Sequence, residues 1–301
     1  MDGNHYYSAN NYYQKTFGGK VYRLALSSGL SCPNRDGTCG TGGCTFCSDA
    51  GSGDFSYSVD ELDKSRDLVK SKGATRFISY FQSYTGTYGE LSKLEEMYTK
   101  ALDPDDVVAL SIATRPDCVS DEVIKLLVRL RTAYAKPIYL ELGLQTLNDS
   151  VAEKFNRGYK TEVFFDTLSR LSAAHIPVIV HMILGLPEET PADMIENVRQ
   201  VAASGIHGIK LSLLHIIKGT PMEALYKEKP EQFGLMEKEI YIKTLAECLE
   251  VIPENVVIYR ITGDSPKSLL VAPRFTANKK DVLNSINRYL RENTIKQGSK
   301  K

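Results

Sequence analysis

Six short β-rich runs alternate with segments of helical periodicity, and this alternation limits the possible folds more than any other feature of the chain. The runs cover residues 21–26, 77–84, 107–113, 138–144, 178–184 and 209–214, and the helical segments cover residues 60–72, 90–102, 121–131, 161–174, 190–203 and 235–251. Strands that alternate with helices form a parallel sheet, because parallel neighbours need a long crossover connection. The sequence therefore predicts an α/β fold, either a barrel or a doubly wound sheet.

The parity of the side chains favours the barrel. In the run at 138–144 leucines occupy one face, whereas Glu141, Gly143 and Gln145 share the other. The run at 107–113 repeats this pattern, with Ser111 and the following Arg115 on the polar face. A doubly wound sheet is covered by helices on both faces and is usually apolar on both. A polar face instead indicates the lumen of a partial (β/α)6 TIM-like barrel that holds a ligand.

The regularity changes after about residue 225, where a long helix, a β-rich run at 256–262, a turn at 263–266 and a final amphipathic helix follow. We therefore expect an N-terminal segment (1–20), the partial barrel (21–225) and a C-terminal α/β extension (226–301). A length of 301 residues suits one large domain with additions.

Composition indicates the cellular compartment and the kind of partner to expect. No apolar run approaches the roughly 20 residues that a membrane span needs, and the N-terminus does not resemble a secretory signal. We expect a cytoplasmic protein with reduced cysteines. The 37 basic and 37 acidic residues balance, so the whole surface is not a nucleic-acid footprint. Residues 276–301 carry seven basic against two acidic residues, which suits either a solvated helix or a contact with a polyanion.

A glycine-rich loop directly after the first run contains four of the six cysteines: Cys32, Cys39, Cys44 and Cys47. Soft thiolates at such density select zinc or an iron-sulfur cluster. Cys44 and Cys47 can meet one metal centre, and a third ligand must come from Cys32 or Cys39. All four would form a tetrahedral zinc site, whereas three would leave one iron of a cubane cluster open. In either α/β fold, the loop lies at the binding edge of the sheet.

Several motifs resemble those of a known family. They are Cys-Pro-Asn-Arg-Asp-Gly at 32–37, Gly-Gly-Cys-Thr-Phe-Cys at 42–47, Tyr-Phe-Gln-Ser-Tyr-Thr at 80–85 and Glu-Leu-Gly-Leu-Gln-Thr at 141–146, with further matches at 113–117, 156–158, 185–187, 214–220 and 259–264. Together they resemble the radical S-adenosylmethionine superfamily, and within it the YhcC/YtqA-like branch of proteins similar to the catalytic subunit of Elongator. The resemblance covers nearly the whole chain.

The resemblance implies that Cys32, Cys44 and Cys47 bind a [4Fe-4S] cluster. Their Cys-x11-Cys-x2-Cys spacing is longer than the Cys-x3-Cys-x2-Cys of the wider superfamily. Cys39 is expected to be a free thiol, although Cys39, Cys44 and Cys47 also form a feasible ligand set.

The resemblance also implies S-adenosylmethionine as cofactor, chelated to the open iron and cleaved to methionine and a 5′-deoxyadenosyl radical. Polar residues at the strand ends are candidates for holding its methionine and ribose parts: Gln82, Ser111, Arg115, Glu141 and Gln145. The alternative for each is solvation at a strand end or hydrogen bonding in the barrel floor. No catalytic residue is assigned.

The implied substrate is the wobble uridine of tRNA, with a carboxymethylaminomethyl group at C5 processed to aminomethyl. The implied partners are tRNA and an electron donor of the flavodoxin or ferredoxin type. Two alternatives are a radical enzyme with a non-RNA substrate and a zinc-bound nucleic-acid-binding module.

Two further features have competing interpretations. His181 has the parity of Ile179 and Ile183, which is more typical of a satisfied core histidine than of a ligand. Tyrosines near the N-terminus, including Tyr12 and Tyr13, could stack on RNA bases but more often anchor a terminal segment.

Overall fold

An eight-stranded parallel sheet forms the centre of the computed structural model, which describes residues 5–48, 51, 56–70, 73–263 and 265–301. The strands are β1 (Tyr22–Ser27), β2 (Tyr57–Ser58), β3 (Phe77–Phe81), β4 (Val107–Thr114), β5 (Ile138–Gln145), β6 (Val178–Leu184), β7 (Gly208–Leu213), β8 (Ile216–Ile217), β9 (Val257–Arg260) and β10 (Leu270–Ala272). The sheet has the order β2-β1-β3-β4-β5-β6-β7-β9, and β8 pairs with β10 in a separate antiparallel ribbon. The α/β fold with a partial TIM-like barrel is confirmed.

Most of the helices cover the outside of the sheet, whereas the first lies at the floor of the barrel. The helices are α1 (Ala9–Phe17), α2 (Leu62–Lys70), α3 (Leu91–Leu102), α4 (Asp121–Tyr134), α5 (Asp149–Lys154), α6 (Thr161–Ala173), α7 (Pro191–Ala203), α8 (Pro221–Glu228), α9 (Lys238–Val251) and α10 (Lys279–Glu292). Local signals set their ends: Thr190 caps α7 in a capping box with Asp193, and Gly18 ends α1 in a left-handed conformation. None of the described helices is long and apolar enough to cross a membrane.

The six predicted strands and six predicted helices are present, with shifted ends. The second strand ends at Phe81 rather than Tyr84, whose backbone is left-handed with φ 53°. Residues 71 and 72 of the first predicted helix, and Asp264 of the predicted turn, lie outside the described residues. The sheet also gains β2 at one edge and β9 at the other, so the segment 226–301 contributes a strand to it.

The apolar face of each strand packs beneath the helices, as parity predicted. Leu140, Leu142 and Leu144 are fully buried in this outer layer. Burial of a leucine side chain contributes about 1.5–3 kcal/mol, so this layer supplies much of the stability of the barrel.

Aromatic side chains from the N-terminal segment close the floor of the barrel. Tyr13 packs among Ile78, Tyr139 and Ile179 at the start of their strands. The Tyr12 and Tyr139 hydroxyl groups lie 2.7 Å apart, at hydrogen-bonding distance. These contacts support the anchoring interpretation: Tyr13 is buried and Tyr12 is half-buried, and both pack against the core. The opposite end of the lumen, at the carboxyl ends of the strands, is polar.

The end of the chain packs against the same side of the molecule as its beginning. The Gln297 side chain donates to the carbonyl oxygens of Pro253 (2.7 Å) and Val256 (2.8 Å) and accepts from the Tyr7 amide (2.7 Å). Arg288 and Arg291 on α10 are exposed. The basic residues of this region thus lie on a solvated helix face, and a contact with a polyanion stays a prediction.

Candidate active site at the carboxyl ends of the strands

A cavity of about 310 Å³ opens at the carboxyl ends of the strands. Seven of the eight predicted site residues line it: Cys32, Cys44, Cys47, Gln82, Arg115, Glu141 and Gln145. Ser111 lies deeper and is buried. The structure therefore brings the cysteine loop and the polar strand ends together.

Turns within the cysteine loop sort its four thiols into two groups. The amides of Arg35 and Asp36 donate to the carbonyl oxygen of Cys32 (2.8 and 3.2 Å), and the amide of Cys39 donates to that of Pro33 (2.8 Å). Cys39 is exposed, whereas Cys32, Cys44 and Cys47 line the cavity. Gly42 and Gly43 allow the chain to return, because both adopt positive φ angles (79° and 76°).

The segment after α5 holds the loop in place. The Asn34 amide group donates to the carbonyl oxygen of Asn156 (2.5 Å), and the Asn156 side chain donates to that of Gly43 (2.8 Å). The amide of Thr45 donates to the carbonyl oxygen of Phe155 (2.9 Å). These bonds explain the Asn-Arg-Gly motif at 156–158, which presents polar groups to the backbone of the loop.

Two buried arginines make this side of the cavity rigid. Arg157 donates to the carbonyl oxygens of Leu144 (2.9 Å) and Thr146 (2.8 Å) and to the Asp149 carboxylate (2.6 Å). Arg115 donates to the carbonyl oxygen of Arg157 (2.7 Å) and, through two nitrogens, to the adjacent carboxylate at 117 (2.9 and 2.7 Å). Both guanidinium groups are thus engaged by protein acceptors. We call this side, formed by residues 32–47, 156–158 and Arg115, the cysteine wall.

The thiols of the cysteine wall lie in a desolvated environment. Burial, followed by the proximity of Cys47, raises the pKa of Cys44 to about 12, although the charge of Arg115 acts in the opposite direction. The free protein therefore carries this group as a thiol, and a metal must displace its proton.

The thiols at the cavity fit the [4Fe-4S] cluster that the resemblance implies. Three thiols face one cavity and the fourth faces solvent, which matches a cluster with three protein ligands and an open iron. Among the described residues, no three side chains of His, Cys, Asp or Glu converge as they would around a single metal ion. The fit rests on the chemistry of the donors and on the cavity that they share.

Two acceptor oxygens in the cavity fit the organic cofactor. The Oε1 atom of Gln145 and the hydroxyl of Thr85 are buried, and neither has a hydrogen-bond partner among the described residues. Leaving such atoms unpaired costs about 1–3 kcal/mol each, which a ligand with amino or hydroxyl donors would recover. The left-handed backbone of Gln145, with φ 68°, places this side chain at the end of β5.

Glu141 is the centre of a buried network beneath the cavity. One carboxylate oxygen accepts from the Ser111 hydroxyl (2.6 Å) and from Arg23, and the other accepts from His181 Nε2 (2.7 Å) and from Lys210. Although burial opposes ionisation, Arg23 and Lys210 hold the pKa of Glu141 well below its usual range. The alternative of floor hydrogen bonding describes these contacts of Ser111 and Glu141, and a role in holding the cofactor stays a prediction.

A second group of residues that line the cavity was not identified as part of the site from the sequence. We call it the C-terminal wall: His181, Ser212, His215, Arg260 and Ser265. His215 Nδ1 lies 2.9 Å from the Ser265 hydroxyl, and a Cβ atom on Gly263 would lie 2.4 Å from the His215 ring. The glycine of the motif at 259–264 therefore makes room for the histidine of the motif at 214–220.

Strict alternation of side chains along a strand predicts the lumen position of His181 but not that of Arg260. His181 shares the lumen face with Ile179 and Ile183, so it contacts Glu141 and the cavity rather than the apolar layer. Arg260 enters the lumen because a register shift pairs Ile209 with Ile258 but Lys210 with Arg260. Such a bulge re-aims a side chain in a way that strict alternation does not predict.

Comparison with known proteins identifies the family. Residues 36–201 match the family model of the radical SAM superfamily, and residues 206–292 match that of the radical SAM C-terminal domain. The chain is 38% identical to YtqA of Bacillus subtilis over 299 residues (97% of this chain and 92% of the relative) and 36% identical to YhcC of Escherichia coli K12 over 289 residues (95% and 92%).

A solved structure supports the fold. Elp3 of the archaeon Methanocaldococcus infernus superposes with a TM-score of 0.67 at 16% identity, over 92% of this chain and 64% of that one. At this identity the likeness concerns the fold alone. With the two family models and the two relatives aligned over nearly their whole length, the chain belongs to the radical SAM superfamily.

Proposed function

We propose that Cys32, Cys44 and Cys47 bind a [4Fe-4S] cluster and that the cavity beside them binds S-adenosylmethionine. One observation carries this proposal: three thiols and two unpaired acceptor oxygens face the same cavity. When bound, the cluster and cofactor supply a carbon-centred radical that removes hydrogen from a substrate.

The residues of the chain position and enclose these groups. Asn34 and Asn156 fix the loop so that its three inward thiols stay at the cavity. Gln145 and Thr85 offer acceptors to the donors of the cofactor. The network of Glu141 and the aromatic floor below it close the inner end of the lumen to water. A closed floor protects a reactive intermediate from side reactions.

The proposed substrate is the wobble uridine of tRNA, whose C5 substituent would change from carboxymethylaminomethyl to aminomethyl. The carboxymethyl group would leave as glyoxylate with an oxygen atom from water, and S-adenosylmethionine, converted to methionine and 5′-deoxyadenosine, would be the two-electron oxidant. The resemblance to Elongator-like proteins suggests this class, and the polar cavity at the barrel mouth is compatible with it. A wobble base lies in an unpaired loop and can be splayed into such a mouth at modest cost. An electron donor of the flavodoxin or ferredoxin type completes the proposal.

The radical chemistry is tested on anaerobically purified protein. We expect brown protein with about four irons per chain, which cleaves S-adenosylmethionine when it is reduced. Colourless protein with one tightly bound zinc ion would contradict the proposal and support the zinc-bound module.

The substrate is tested by nucleoside analysis of tRNA from a strain that lacks the gene. Carboxymethylaminomethyluridine should accumulate at the wobble position, and a plasmid copy of the gene should reverse this, whereas a Cys44→Ala copy should not. An unchanged nucleoside profile would favour a substrate other than RNA. A steep loss of tRNA binding with rising salt would independently support contacts to phosphate.

A further inference from the structure

The buried carboxylate beneath the cavity, Glu141, is already engaged by cationic side chains. Arg23 and Lys210 both bond to Glu141, so this single carboxylate already serves two cationic groups. Burial and neighbouring cations lower the pKa of Lys210 well below its usual range. If Lys210 is neutral, the negative charge of Glu141 is still compensated by the positive charge of Arg23. The network therefore has no negative charge to spare for another cation.

Arg260 is that further cation. It lines the cavity from β9, opposite Lys210 in register, and is half-buried. Its charge lowers the pKa of both His181 and Lys210, which shows that it faces the same space. Within the described part of the chain, no carboxylate or carbonyl oxygen bonds to its guanidinium group. This differs from Arg115 and Arg157, whose guanidinium groups are engaged by the protein.

A partly desolvated guanidinium group without an anion is costly, and its planar fork matches a carboxylate or a phosphate. A backbone phosphate of RNA is flanked by nucleotides on both sides, which keep it at the mouth of the cavity. A carboxylate at the end of a flexible base substituent can reach further into the cavity, which Arg260 lines. The guanidinium group of Arg260 is therefore suited to bind a small carboxylate that enters the cavity together with the reacting part of the substrate.

We propose that Arg260 binds the carboxylate of the substrate and so selects an acidic substituent. The inference rests on the proposed function, in which that group is the carboxylate of carboxymethylaminomethyluridine. The other possible source is the carboxylate of S-adenosylmethionine, which the resemblance assigns to the open iron beside the cysteine wall. The experiment below separates the two sources.

The test measures binding of three anticodon stem-loop RNAs to reconstituted enzyme that contains cluster and cofactor. One RNA carries 5-carboxymethylaminomethyluridine at the wobble position, the second carries its methyl ester, and the third is unmodified. Wild-type enzyme should prefer the acid to the ester about 10- to 100-fold, the range for a charge-assisted hydrogen bond. Arg260→Met should bind acid and ester equally, and Arg260→Lys should keep part of the preference.

A matched control is Lys243→Met on α9, which removes an exposed cation outside the cavity and should keep the full preference. Denaturant unfolding of the Arg260 variants checks that they are folded. Full preference for the acid in Arg260→Met would overturn the inference. Weaker binding of S-adenosylmethionine without RNA, with the preference for the acid intact, would assign Arg260 to the cofactor and would also overturn it.

A different result marks failure of the proposed function itself. If wild-type enzyme binds the acid, the ester and the unmodified RNA equally, the cavity does not recognise the wobble substituent. The proposed substrate and the proposed role of Arg260 are then both contradicted. If wild-type enzyme prefers the acid but Arg260→Met does so equally, the proposed substrate stands and the role of Arg260 fails.

Discussion

The cysteine wall and the C-terminal wall use their cationic residues differently. In the cysteine wall, Arg115 donates to a neighbouring carboxylate and to the backbone, and Arg157 behind it is likewise saturated. In the C-terminal wall, Arg260 faces the cavity without such an acceptor among the described residues. The first wall uses its arginines to hold the protein together. The second offers its arginine to a ligand.

This difference separates two tasks of the site. A metal-binding loop must be held in one conformation, and in the cysteine wall the amide groups of Asn34 and Asn156 and the two arginines do this through hydrogen bonds to the protein. A wall that recognises substrate must keep donors unsatisfied until the substrate arrives, since partners already made cannot discriminate. Glu141 lies between the walls and bonds to residues from β1, β4, β6 and β7.

The largest expected effect concerns the cysteine wall. Alanine at Cys32, Cys44 or Cys47 should abolish iron binding and cofactor cleavage, because each would remove one of three cluster ligands. Cys39→Ala is the matched control and should retain both, because Cys39 is exposed outside the cavity. Iron content and cofactor cleavage are measured after anaerobic reconstitution. Full iron loading without Cys32 would defeat this ligand assignment and favour Cys39.

Glu141→Gln tests the group between the walls. It leaves Arg23 and Lys210 buried without their carboxylate, so the free energy of unfolding should fall by about 3–5 kcal/mol. Glu95→Gln, which breaks the exposed pair with Arg129, should have little effect, because solvent screens such a pair. Urea unfolding of the metal-free proteins gives both values. Equal losses would show that the buried network does not organise the lumen.

A pair of arginine variants tests the comparison directly. Arg157→Met removes donors to two backbone carbonyls and a carboxylate, and should lower the free energy of unfolding by about 2–4 kcal/mol. Arg260→Met should not lower it, because no acceptor in the described residues loses a partner and a half-buried cation without an acceptor is removed. Urea unfolding measures both. A similar loss in the two variants would remove the distinction between the walls.

The smallest effect is on pH dependence. Burial, together with the charge of Lys210, lowers the pKa of His181 to about 4 from its ordinary value of 6.5. Between these values the unfolded chain binds a proton that the folded protein does not, so stability is full above pH 6.5 and falls as the pH drops towards 4. The side chain is 30% exposed, and we expect about 1 kcal/mol between pH 6.5 and pH 5 after allowance for solvent screening.

His181→Asn should reduce this slope, measured by urea unfolding at a series of pH values. Part of the slope should persist in the variant, because burial also lowers the pKa of His207 to about 4. His175→Gln, at an exposed position just after α6, is the control for removing a histidine outside the lumen. An unaltered slope in His181→Asn would show that His181 is not buried neutral against Glu141.

Much of the barrel was predictable because strand parity is a local property. The leucines of β5 had to face the helices, and Glu141 and Gln145 had to face the lumen. The position of the cysteine loop followed from its place after β1. The clamp by Asn156 was not predictable from the residues alone, since it joins segments 113 positions apart through backbone acceptors.

The sequence by itself determined the alternation of strands and helices, the two faces of each strand and the thiol-rich loop at the mouth. The tertiary structure decided which charges meet. Arg23 reaches Glu141 across 118 positions, and a bulge turns Arg260 into the same lumen. Side-chain direction repeats every two residues along a strand and can be read locally. Charge balance depends on residues from distant strands, so only the folded barrel shows that Arg260 faces the lumen without an acceptor among the described residues.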